Sequence, residues 1–372
     1  MHVVPRLGLQ IGLALVALLE VAAPSVARDA PRDFYGTVLD GGVLTAAPDV
    51  LSAQWPRMAA SGVETARVAF SWAAAQPVED GPVDFSHTDA LVAGATAHGI
   101  DLLPVVLYAP AWARRDPALF NSPPANAVGY TTYLRALVAR YGPRGSFWAE
   151  HPELSRRPVR AWQVWNEPQL RYQWNAPGFA TGYGALLRAS YRALKAADPG
   201  CTVVLAGATN LSWKVIEQLY DRGRIHRSFD VAAVHPYTAT PAHVVRIVQL
   251  VRRVLPRHGD ARVPIWVTEL GFPASKGRSR SNNTLQTTPR GASQRLARSY
   301  DLLIRRRRDP SVLVSRVHWY TWASSYRGDI FNFTGLWRYD GASFVPQPQL
   351  AAYRRSARLH EGCVKTTAGV CR

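Results

Sequence analysis

The sequence predicts a single α/β domain, a (β/α)8 or TIM barrel. Three observations lead there. From residue 34 onward, apolar runs of strand type alternate with longer stretches of helical type, eight times over. The strand-type runs are almost continuously apolar, as in a parallel sheet covered by helices on its outer face. No glycine-rich phosphate fingerprint follows the first run, and eight units in one chain fit a closed barrel better than an open doubly wound sheet.

Each element has its own signal. Residues 34–39 form the first strand, turned by Asp40-Gly41-Gly42. A helix over 48–61 is stopped by Gly62, and strand two follows over 64–70. The helix over 86–98 ends at Gly99, and the apolar run 100–107 is strand three. A helix covers 125–141; an irregular, proline-containing loop over 142–157 then leads to strand four, 159–166. The second half repeats the rhythm. A helix over 178–197 is stopped by Asp198-Pro199-Gly200, and strand five spans 202–208. A helix over 212–222 precedes strand six, 229–235; a helix over 242–255 precedes strand seven, 263–269. A helix over 290–308 precedes strand eight, 312–320, and a last helix covers 348–359. No linker interrupts the pattern, so residues 28–362 are expected to be one domain, with 363–372 a short tail.

Composition agrees with a large folded domain. Of 372 residues 47% are hydrophobic, enough for a sizeable core, and the 27 prolines and 12 tryptophans suit many tight turns and an aromatic surface. The formal net charge is +18, carried almost entirely by arginine. A basic surface favours anionic partners such as acidic glycans. No helix-turn-helix, zinc-finger or aromatic RNA-binding motif points to nucleic acid. No Cys/His spacing suggests a metal, and no Gly-x-Ser-x-Gly elbow suggests a serine hydrolase.

Residues 1–27 have the form of a secretory signal. Arg6 supplies the positive start, residues 7–19 the apolar core, and Ser25-Val26-Ala27 the cleavage pattern. An uncleaved anchor is the alternative; otherwise no membrane span is expected. An exported chain meets an oxidising compartment, where Cys363 and Cys371 are expected to pair and Cys201 to stay a buried thiol.

Two stretches carry the chemistry. The strand ending in Asn166-Glu167-Pro168 stops there, because Pro168 lacks an N–H and disfavours helical geometry at Glu167. The strand ending in Thr268-Glu269 is turned by Gly271. Active sites of such barrels lie at the C-terminal ends of the strands. Arg67 and Trp72 belong to the second strand's end, Trp112 to the third's, His235 and Tyr237 to the sixth's, Trp319 and Trp322 to the eighth's. Aromatic faces stack on sugars, polar groups bind hydroxyls, and two strand-end glutamates are the parts needed to cleave a glycosidic bond.

On these residues the sequence resembles the clan A glycoside hydrolases, whose acid/base follows strand four and whose nucleophile follows strand seven. Asn166-Glu167-Pro168, Thr268-Glu269 with Gly271, His235-x-Tyr237 and Arg67 all match that pattern. The arrangement of strands two to four, including Pro110-Ala111-Trp112, is similar to family 39 and its bacterial polysaccharide-cleaving relatives; family 5 comes next. Strand three ends without the histidine common in family 5.

The resemblance implies a retaining double displacement, with the carboxyl groups about 5–5.5 Å apart. Glu269 would attack as the ionised nucleophile. Glu167 would start protonated, held so by the neighbouring charge, donate to the leaving oxygen and then activate water. Asn166 would bind the 2-hydroxyl, Tyr237 would orient Glu269, and Arg67 would keep it ionised. Trp322, then Trp319, would floor the cleaved subsite, with Trp72, Trp112 and His235 completing the substrate site. No cofactor and no metal is expected. The expected protein is an exported, monomeric β-glycosidase acting on a polysaccharide or oligosaccharide, an acidic one in one version. A catalytically silent binder of an acidic cell-surface polymer is the alternative. The loop over 143–157 is expected to close one end of the groove, and the polar, Ser/Arg-rich segment 273–288 to form a flap over the seventh strand.

Overall fold

A computed structural model describes His2, residues 28–209 and residues 211–371. But for His2, the expected secretory segment falls outside the described residues. Eight parallel strands form a closed barrel. They are β1 (Tyr35–Leu39), β2 (Thr65–Ser71), β3 (Asp101–Leu107), β4 (Ala161–Val164), β5 in two pieces (Thr202–Val204 and Ala208–Thr209), β6 (Ala232–His235), β7 (Ile265–Leu270) and β8 (Val314–Trp319). The sheet runs from the first piece of β5 through β4, β3, β2, β1, β8, β7 and β6 to the second piece of β5. Its two ends are therefore one strand. A parallel bridge between Val204 and Val231 spans the seam, and Leu205 N donates to Val231 O at 3.0 Å.

The helices lie within a few residues of their expected bounds, because their starts are chemically marked. Pro241, Pro289 and Pro348 each open a helix, where the missing N–H is no loss. The side chains of Asn126, Thr240 and Thr288 accept from backbone N–H groups of the first turn. The helix expected over 48–61 is two pieces, Pro48–Ser52 and Gln54–Ala59.

Two cores result. The main one lies between strands and helices. A smaller one fills the barrel itself, where Leu103, Ala161, Val204, Val231, Ala233 and Trp266 meet. Above this plug, toward the C-terminal ends, the interior turns polar. Beyond β8 a small sheet not foreseen in the sequence adds β9 (Ala323–Ser324), β10 (Trp337–Tyr339) and β11 (Phe344–Pro346).

The loop over 143–157 does not close a groove. It precedes β4, so it lies at the opposite end of the barrel, where Arg157 pairs with Asp101 at the start of β3 at 2.6 Å. Cys363 and Cys371 are joined, with an S–S length of 2.06 Å, and Cys201 is a buried thiol. Among the described residues no helix is long and apolar enough to cross a membrane.

Candidate active site

A cavity of about 720 Å³ opens at the C-terminal ends of the strands, within the usual range for a small-molecule site. Glu167 and Glu269 face each other across it. An oxygen of each, with a ring nitrogen of His235, lies within 4.8 Å of the others.

Local backbone geometry places both glutamates. In β4, Ala161 and Gln163 point into the barrel while Trp162 and Val164 pack outward. Strict alternation would turn Trp165 inward next. Instead Trp165 has φ 65° and Glu167 φ 39°. Left-handed backbone costs a non-glycine residue about 1–2 kcal/mol. It buries Trp165 against Tyr130 and Trp174 and sends Asn166 and Glu167 into the mouth. The strand ends at Val164, two residues early, for this reason. In β7, Trp266 and Thr268 point inward, so Glu269 should point out. The pairing of β7 with β8 shifts register between Val267 and Leu270, and that irregularity turns Glu269 inward as well.

Arg67 organises the floor. Its guanidinium donates from Nε to Gln163 Oε1, from one terminal nitrogen to Glu269 Oε1 and from the other to Asn166 Oδ1, each at 2.7 Å. Arginine only donates, so the Asn166 oxygen faces it and the Asn166 NH2 is left for a ligand. Tyr237 donates to Glu269 Oε2 at 2.7 Å. Burial alone would raise the Glu269 pKa; the facing His235, the Arg67 charge and these hydrogen bonds outweigh it and hold the carboxyl below its ordinary value. Burial, then the nearby Glu269 charge, pushes the Tyr237 phenol far up, so it stays a donor.

His235 is fully buried. Its Nδ1 lies 2.7 Å from Glu167 Oε1 and 3.6 Å from Glu269 Oε2. A proton on Nδ1 faces both carboxyl groups, and Nε2 lies 3.0 Å from the Thr268 hydroxyl. Gly207 makes room for the ring: a Cβ there would sit 1.9 Å from Nε2. Glu167, His235 and Glu269 present metal-ligand atoms, as do Glu217, Asp221 and His258. In the first set the Arg67 guanidinium already occupies Glu269 Oε1, which opposes a cation. In the second, Glu217 is paired with Arg257 and His258.

Six of the expected site residues thus meet: Arg67, Asn166, Glu167, His235, Tyr237 and Glu269. The four tryptophans do not. Trp319 is fully buried and donates to Thr334 O at 2.9 Å. Along β8, Arg316, His318 and Tyr320 face inward and Val317 and Trp319 outward, so Tyr320 reaches the cavity wall in place of Trp319. Trp322 is buried too and donates to Gln54 Oε1 at 3.2 Å. Trp72 stacks on Tyr133 beneath the helix Ala127–Tyr141. Trp112 is set edge-on to Trp72 and donates to Gln76 O. All four are packing residues whose indole N–H finds a partner inside the protein.

The walls are instead built by Tyr108, Tyr172, Tyr320 and Phe331, with Asp40 and Asp329. Asp40, directly after β1, accepts from the Thr321 hydroxyl, and burial pushes its carboxyl up. Its position at a strand's C-terminal end was the available signal. The segment 273–288 does reach over the site, through Asn283 and Leu285.

The fold and the rim geometry define a class: a (β/α)8 barrel with an Asn-Glu pair after its fourth strand and a second glutamate ending its seventh. Solved glycoside hydrolases share this fold. The chain is similar to a family 39 glycoside hydrolase from the gut symbiont Bacteroides cellulosilyticus WH2, with 21% identity and TM-score 0.66 over 90% of this chain and 64% of that one. It is similar to a monomeric beta-xylosidase from Caulobacter crescentus CB15, with 21% identity and TM-score 0.63 over 90% and 69%. It also resembles GH5_18 from Streptomyces cattleya in complex with GlcNAc, with 18% identity and TM-score 0.64 over 89% and 80%. At these identities the likeness is one of fold. No protein-family model matches the chain, and no curated protein does.

Proposed function

We propose that the protein is an exported retaining β-glycosidase, with Glu269 as nucleophile and Glu167 as acid/base. One observation carries this reading: the two carboxyl groups approach within 4.8 Å, Glu269 hydrogen-bonded by Arg67 and Tyr237 and Glu167 by His235. Inverting enzymes need about 6.5–9.5 Å, to fit a water between the groups. Glu269, ionised and held by Arg67 and Tyr237, attacks the anomeric carbon and forms a glycosyl ester. Glu167 gives its proton to the departing oxygen through Oε2, the oxygen His235 does not hold. Once Glu269 is esterified its charge is gone, and Glu167 takes a proton from water, whose oxygen displaces Glu269. The free Asn166 NH2 binds the sugar's 2-hydroxyl, a bond that strengthens as charge develops on the ring. Tyr320 and Phe331 offer the apolar faces assigned to Trp322 and Trp319 from the sequence. The signal pattern over residues 1–27 supports export.

The test is turnover on aryl β-glycosides, β-glucans, mannans, xylans and acidic exopolysaccharides, with Glu269→Gln beside the wild type. Proton NMR of the first-formed sugar reads the stereochemistry. Retention by the wild type and loss of turnover in the variant are expected. Inversion, or a variant as active as the wild type, would overturn the assignment.

A further inference from the structure

The site and the whole chain have opposite electrostatic character. The cavity wall carries four carboxyl groups, Asp40, Glu167, Glu269 and Asp329. Arg67 is the one cationic side chain among the described residues that line it, and it is spent on Glu269, Asn166 and Gln163. An anionic sugar at the point of cleavage would meet these acidic groups, the ionised Glu269 among them, without a free cation. Yet the chain's formal charge is +18.

A second groove, of about 530 Å³, resolves the contrast. Arg278, Arg327 and Arg338 converge on it from three separate segments, between walls that include Tyr326 and Phe333. Among the described residues, none of the three guanidinium groups has a carboxylate within ion-pair distance or a hydrogen-bond acceptor. Asp340 is the one acidic residue among the described residues lining the groove, and its carboxylate already accepts from the backbone of Ala342 and Ser343 and from the Ser343 hydroxyl. Three arginines brought together with one occupied carboxylate repel one another. Their rigid, planar forks suit carboxylate, sulfate and phosphate groups.

The groove and the cavity back onto the same two segments. Arg278 belongs to 273–288, whose Asn283 and Leu285 line the cavity. Arg327 belongs to 325–333, whose Asp329, Phe331 and Asn332 line it. The Asn332 amide donates to Arg327 O at 2.9 Å, tying the two sides together.

We propose that Arg278, Arg327 and Arg338 form an anion subsite that holds a carboxylate, sulfate or phosphate substituent of a glycan outside the cleaved position, while the acid-lined cavity takes an uncharged sugar. The second half rests on the glycosidase reading; the first does not.

Binding is measured in Glu269→Gln, where turnover does not intrude, with polygalacturonate as the anionic probe and dextran as the neutral one. The triple change Arg278→Gln, Arg327→Gln, Arg338→Gln is compared with Arg305→Gln, Arg306→Gln, Arg308→Gln, three positions at and just beyond the C-terminal end of the helix Pro289–Arg306, none of which lines the groove. All six side chains are exposed, and equal melting temperatures verify folding. Exposed charge contacts are individually weak but three act together, so the groove triple is expected to weaken polygalacturonate binding about tenfold. Dextran binding should not change, and the control triple should lose less than about twofold. Equal loss in both triples would mean a diffuse field and overturn the subsite, as would an unchanged Kd. Inorganic sulfate competing at millimolar concentration supports it. Preference for anionic phospholipid vesicles over polygalacturonate would assign the groove to a membrane and sink the proposal. In the otherwise wild-type enzyme, the groove triple should raise KM for an anionic polymer and leave kcat/KM on an aryl glycoside unchanged. A protein that binds through the groove but turns over nothing would defeat the glycosidase reading alone.

Discussion

Tyr237→Phe isolates one contact of the nucleophile. The change removes a hydroxyl that donates to Glu269 Oε2 at 2.7 Å and keeps the ring. The ring is held edge-on by Phe331 at 4.8 Å and by Tyr320 at 6.2 Å, so packing survives. Arg67 remains on the other oxygen at 2.7 Å, so Glu269 keeps its orientation in part. A hydrogen bond to an ionised group contributes roughly 1.5–3 kcal/mol. At about 1.4 kcal/mol per factor of ten, kcat/KM should fall about 10- to 100-fold at the optimum. The pH profile carries a second signature. Glu269 must be ionised to attack, and its carboxyl is held below the ordinary 4.5 partly by Tyr237. Losing a donor to the charged form raises that pKa, so the acid limb of kcat/KM should move to higher pH. The assay is initial rates on an aryl β-glycoside from pH 3 to 8 (roughly) at constant ionic strength. A limb in the same place, with kcat/KM within about twofold of wild type, would refute the role given to Tyr237.

Two further changes probe the scaffold. Gly207→Ala puts a Cβ 1.9 Å from His235 Nε2; pushing the ring aside should cost about 1–3 kcal/mol in a denaturant melt and lower kcat with it, and a variant of wild-type stability and rate would show that the close approach is dispensable. Glu361 is buried near Glu64, and its pKa is raised to about 7 by burial, then by that charge, against Lys365. Its folded pKa lies above the unfolded value, so its protonated form favours the fold, and that contribution is lost as pH rises from about 4.5 through 7. Glu361→Gln should therefore raise the melting temperature at pH 8 (roughly) with little effect near pH 4, a gain of about 1–3 kcal/mol; equal melting curves at the upper pH would count against it.

Much of this protein is legible in its sequence because the signals are local. Proline at the first helical position, Asn126, Thr240 and Thr288 as caps, and glycine at the stops mark the helices within a few residues. Apolar runs mark the strands, and eight of them with helices between leave few topologies. Glu167 and Glu269 are found because each closes such a run. The tryptophans mislead because an aromatic residue at a strand end is read the same way whether it faces the mouth or the helices. Trp319 and Tyr320 are neighbours, and one step in phase exchanges wall for core.

The sequence by itself determined the barrel, the order of its elements and which strand tips carry carboxylates, all consequences of residue type and spacing along the chain. Tertiary structure alone decided which side chains enter the mouth. Trp165 and Glu167 take left-handed backbone, and β7 slips against β8 between Val267 and Leu270. Either event breaks the two-residue alternation from which direction is read. Such departures persist only where surrounding contacts offset their cost: Arg67 reaching Gln163, Asn166 and Glu269 at once, His235 set against Gly207, and Trp165 buried between Tyr130 and Trp174. Those contacts join residues far apart in the chain, so they exist only once the barrel has closed.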